Sequence, residues 1–105
     1  MSAARVPTNA PRDVTAGAFN SSAVTVWWVR PLTTEGEGPI LGYRIIYWPR
    51  KSDCRARESD RARQELGQRQ TIWGDVTEGL IIGLDTDTYY CISVQRVGKM
   101  QVKTL

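Results

Sequence analysis

The 105-residue chain has no histidine, which removes the commonest general base, the commonest metal ligand and the side chain that titrates near physiological pH. Its two cysteines are too few for a structural zinc site, which takes four Cys or His ligands. The longest stretch without a charge is the sixteen residues from Val14 to Val29. That is shorter than the roughly 20 apolar residues of a membrane helix, and polar residues interrupt it. The opening Met-Ser-Ala-Ala-Arg-Val-Pro holds no apolar run of the signal-peptide kind, so a secreted parent would make this sequence a piece of a larger chain. The acidic residues are scattered, no nucleophile has a base beside it, and no glycine-rich phosphate loop follows a strand pattern. These absences predict a non-catalytic protein with no catalytic residue, no cofactor and no metal ligand.

What the chain does have is β-forming residues. Val, Ile and Thr number 26 and aromatics nine, shapes that suit a pleated surface. Short alternating runs at 12–17, 23–29, 41–48, 68–73, 79–83, 88–97 and 100–105 are separated by turn signals. Seven strands in one small domain predict an all-β fold of two packed sheets. Residues 1–10 read as a linker or leader and 11–105 as the domain. Gly98-Lys99 reads as a tight turn joining the last two strands. Residues 49–67 interrupt the pattern with a charged insertion that contains no β-branched residue. Alternation places Val24, Val26 and Trp28 on one face, with Tyr43, Ile45 and Tyr47, and Tyr90, Ile92 and Val94, on the corresponding faces of two later strands. The opposite faces carry Arg44, Ser93 and Gln95, so the first set is the expected core.

These residues resemble a known family. Val26-x-Trp28-x-x-Pro31, then Gly42-Tyr43-Arg44-Ile45-Ile46-Tyr47, then Leu84-x-x-x-Thr88-x-Tyr90-x-Ile92-x-Val94 is similar to the fibronectin type III pattern. The run from Gly38 to Trp48 looks like repeats of contactin-type neural adhesion proteins of the immunoglobulin superfamily. The resemblance implies a seven-stranded immunoglobulin-like Greek-key β-sandwich with sheets of three and four strands. It implies that Trp28 packs between the sheets and that Tyr90 is a corner tyrosine whose hydroxyl returns to the backbone near Leu84. Arg96 departs from the pattern by standing where a small residue is usual, at the edge of the core. The short Gly98-Lys99 loop carries no Arg-Gly-Asp.

In such a sandwich, Cys54 in the insertion and Cys91 on the sixth strand lie at the same end, and alternation points Cys91 outward toward the insertion. A disulfide is the expectation. Asn20-Ser21-Ser22 is an N-glycosylation triplet, and both features fit an extracellular, cell-surface setting. Trp27, Leu80 and Ile82 alternate outward on neighbouring strands and form a candidate protein interface. Ile46 and Trp48 point out on the other sheet, flanked by Arg44, with Trp73 placed to join them. Residues 50–69 hold seven basic and four acidic side chains, which accounts for the whole net charge of +3. Arg50, Lys51, Arg55, Arg57, Arg61 and Arg63 are therefore candidate contacts for a sulfated glycan. The insertion has no interleaved aromatics, which argues against nucleic acid. The reading is an adhesion or receptor module that contacts other surface proteins, homophilically or otherwise, and spaces its neighbouring domains. It does not itself enter the membrane. An anionic-glycan binder and an intracellular scaffold repeat are the alternatives.

Overall fold

A computed structural model describes residues 2–5, 10–32, 39–50, 54, 67–98 and 101–104. Among these residues eight strands run in chain order: β1 (Ser2–Arg5), β2 (Arg12–Asn20), β3 (Ala23–Val29), β4 (Ile40–Pro49), β5 (Gln68–Trp73), β6 (Glu78–Ile81), β7 (Tyr90–Gly98) and β8 (Gln101–Thr104). Every pairing is antiparallel. One sheet has the order β2-β3-β6 and the other β5-β4-β7, so the chain crosses between sheets after β3, β5 and β6.

Period-two alternation in these strands becomes two faces buried against each other. Val26, Tyr43, Ile45 and Ile81 are wholly buried, and Trp28, Tyr47, Leu84 and Val94 complete the cluster that joins the sheets. Each large side chain removed from water contributes roughly 1.5–3 kcal/mol. The Trp28 and Tyr43 rings meet in a tilted contact with centroids 5.0 Å apart, and Tyr47 meets Tyr90 edge-on at 6.4 Å. The polar tips of Trp28, Tyr43 and Tyr90 each have a partner, as burial requires. The Trp28 indole N–H donates to the Val76 carbonyl at 3.0 Å, and the Tyr43 hydroxyl donates to Asp75 Oδ1 at 2.8 Å. The Tyr90 hydroxyl accepts the backbone N–H of Asp85 at 2.9 Å, which makes it the corner tyrosine of the sandwich.

Two details differ from the sequence reading. The last strand, β8, pairs with β1 in the register Ser2↔Thr104 to Arg5↔Gln101, so among the described residues each large sheet has three strands. Part of the expected leader is thus a strand, and Lys99 of the expected turn lies outside the described residues. β7 begins at Tyr90, later than expected, because Asp87 takes a left-handed φ of 56° in the turn that precedes it.

Candidate functional site

The outward face of β2-β3-β6 is built on Trp27. Its cross-strand neighbours are Thr15 on β2 and Glu78 on β6. The indole N–H donates to Glu78 Oε2 at 3.1 Å. The six-membered ring lies over Gly17, where a Cβ would stand 3.1 Å from Cη2 and Cζ3 of the indole. A glycine at 17 thus lets the ring lie flat on the sheet, and the Glu78 bond fixes its rotation. Trp27 still leaves 43% of its surface in water. Leu80, paired with Thr25, is Trp27's diagonal neighbour on β6, and Ile82 continues the alternation just past that strand. They are 37% and 64% exposed. Phe19, 64% exposed, lies farther along β2. It escaped the sequence reading, which ended that strand at residue 17. The strand continues to Asn20 through a register shift that period-two counting does not detect.

The other sheet behaves differently. Ile46 does alternate outward, but it is buried at 2% exposure, and Trp48 is half-buried. The expectation that Ile46 faces water is therefore corrected. Cys54 and Cys91 are joined by a disulfide with Cα atoms 5.5 Å apart, and Cys91 is the cross-strand partner of Trp48. The bond sets Cys54 against this end of the sheet, and the flanking strands set Arg69 and Ser93 beside Ile46. Trp73 does not join Trp48. It pairs with Gly42 at the opposite end of the β4 ladder, about 20 Å away at strand spacing, and is largely exposed.

Among the basic candidates only Arg50 belongs to the described residues; Lys51, Arg55, Arg57, Arg61 and Arg63 lie outside them. The Arg50 N–H donates to the Tyr89 carbonyl at 2.7 Å, and its guanidinium stands 6.0 Å from the centroid of the exposed Tyr89 ring. Arginine thus sits over a tyrosine ring here. Arg96, paired with Tyr43, turns toward the edge of the core. At the same end of the core, Arg30 Nε meets Asp75 Oδ1 at 3.1 Å, and that oxygen also accepts the Tyr43 hydroxyl. Burial and the hydrogen bond to Asp75 push the Tyr43 phenol up to about 12. These groups face one another, with Tyr43 buried and Arg30 and Asp75 at the surface, and they link the end of β3 to β4.

An open groove of about 610 Å³ lies where Ala16, Ala18 and Val24 of one sheet approach Leu84, Tyr90 and Ile92. Its rim is formed by the turn at Asn20–Ser22 and by residues 85–89. Among the described residues no group of His, Cys, Asp or Glu is arranged to hold a metal ion.

Two antiparallel sheets closed over a central tryptophan, with a corner tyrosine returning to the backbone, define an immunoglobulin-like sandwich. The family model described as the fibronectin type III domain matches residues 9–103, and the chain belongs to that family. It is 33% identical over 95 residues to Contactin-5 of Danio rerio, an alignment covering 90% of this chain and 8% of that protein. It is 28% identical over 89 residues to Contactin-6 of Mus musculus, covering 85% of this chain and 8% of that protein. The solution structure of the third fibronectin III domain of human KIAA0343 protein superposes with a TM-score of 0.66 at 25% identity, covering 93% of this chain and 82% of that one. The chain is thus a contactin-like fibronectin type III domain, a non-catalytic module of the adhesion and interaction kind. It spans less than a tenth of the length of those curated relatives.

Proposed function

We propose that this domain is an extracellular module of a multidomain cell-surface adhesion or receptor protein, and that it presents the β2-β3-β6 face to a protein partner. Trp27 is the observation that carries the reading. A large aromatic is held flat by Gly17 beneath it and Glu78 beside it, yet remains 43% exposed next to Leu80 and Ile82. A rigid aromatic loses little conformational entropy on contact, and tryptophan is enriched at the energetic centres of interfaces. The disulfide supports an oxidising, extracellular location. The likeness to contactins, with the chain's membership of the fibronectin type III family, supports an adhesion role.

Beads coated with the domain, mixed with one another and with neural cells, test this reading. Wild-type beads should bind, and Trp27→Ala should weaken binding by about 30-fold, the equivalent of about 2 kcal/mol. Trp73→Ala, at the more exposed tryptophan of the other sheet, should change nothing. Equal binding by wild type and Trp27→Ala at an unchanged melting point, or no binding by wild type, would reduce the domain to a spacer.

A further inference from the structure

We propose that Asn20 is an N-glycan attachment site whose substrate is a lipid-linked oligosaccharide pyrophosphate. The chain has two asparagines, Asn9 and Asn20, and only Asn20 begins an Asn-x-Ser/Thr triplet without a middle proline. The structure gives that triplet a definite shape. Asn20 closes β2, and both it and Ser21 are exposed in the turn that leads into β3. Asn20 Oδ1 accepts the backbone N–H of Ser22 at 2.9 Å, and the Ser22 hydroxyl donates to the same oxygen at 3.4 Å. The two bonds engage the oxygen of the carboxamide and leave Nδ2 available for a new bond. Ser22 is fixed in turn, because its carbonyl accepts the Leu84 N–H at 2.9 Å. The triplet is therefore held outward on a tied-down turn and need not unfold to be reached.

In the transfer, Asn20 Nδ2 bonds to the anomeric carbon of the oligosaccharide. The anomeric C–O bond to the pyrophosphate breaks, the lipid pyrophosphate leaves, and the amide nitrogen gives up one proton. No oxidant or reductant is needed. Ala23 begins β3 at the turn and Trp27 lies four residues farther on, about 13 Å at strand spacing. A glycan on Asn20 therefore marks one end of the β2-β3-β6 face, beside the groove rim, and leaves the Trp27 end open.

This inference rests on the extracellular reading above, and the two can fail separately. The whole chain is expressed behind a secretory leader in a eukaryotic cell, and only secreted protein with no free thiol is scored, so that folding is controlled by the Cys54–Cys91 bond. Intact mass should show a glycan-sized increase that an N-glycan amidase removes, converting Asn20 to Asp. Asn20→Gln and Ser22→Ala should lose the increase, and Ser22→Thr should keep it. Secreted, disulfide-bonded wild type of unmodified mass overturns the proposal, as does an increase that survives in Asn20→Gln. A glycosylated domain whose beads fail to bind would sink the interaction reading alone.

Discussion

The Cys54–Cys91 bond ties Cys54 of the charged insertion to the start of β7, and its removal has a calculable effect. The bond joins residues 37 apart in sequence. In the chain-entropy model, closing a loop of that size in the unfolded state is worth about 4 kcal/mol at 25 °C. Domains of this size have total stabilities of about 5–15 kcal/mol, so the bond supplies a large share. The perturbation is the double replacement Cys54→Ser/Cys91→Ser, which avoids leaving one reactive thiol. In the chain-entropy model the loss arises by freeing the unfolded chain. Urea unfolding followed by tryptophan fluorescence should show stability lower by about 3–4 kcal/mol. The slope on denaturant should be steeper, because the uncrosslinked chain exposes more surface when it unfolds. A thermal scan should show the melting point lower by about 12–30 °C. A loss below about 1 kcal/mol with an unchanged slope would refute the reasoning.

Replacing the corner tyrosine by Tyr90→Phe removes the acceptor for the Asp85 N–H and should cost about 1 kcal/mol in the same unfolding assay, with the Tyr47 ring contact retained. The Tyr43 phenol, raised from 10.0 to about 12, makes stability depend on alkaline pH. A folded pKa above the unfolded one means the contribution is complete below pH 10 and is lost as pH rises toward 12. That shift corresponds to about 3 kcal/mol, and Tyr43→Phe should remove this part of the pH dependence between those limits when stability is measured across pH.

Much of the interior was legible from local pattern. Trp28, Tyr43 and Tyr47 sit on alternation faces that can point only one way once Arg44 and Gln95 claim water, and the structure buries all three. The corner role of Tyr90 was implied by the family resemblance, and its hydroxyl meets the backbone one residue after Leu84. What was not legible depends on distant chain. Alternation tells which side of a sheet Ile46 leaves from; it does not tell that Arg69 and Ser93 on flanking strands stand beside it there, or that Cys91 on that side is bonded to Cys54. Trp73 and Trp48 share a face, but their separation along it is set by the β4–β5 register. The partner of β8 is likewise invisible locally, because an edge strand carries the same alternation whether it pairs with β7 or with β1. The outward face around Trp27 shows the same division. Its exposure follows from period two, whereas the flat seat over Gly17 and the bond to Glu78 come from pairing across 51 positions and within the β2–β3 ladder.

The most direct test of the Trp27 face compares oxidation of the two most exposed tryptophans by hydroxyl radicals, read by mass spectrometry. The domain is oxidised once free in solution and once bound to neural cell membranes. Binding through β2-β3-β6 predicts that Trp27 becomes several-fold less reactive while Trp73 stays unchanged. Protection of Trp73 with Trp27 as reactive as in the free domain would contradict it.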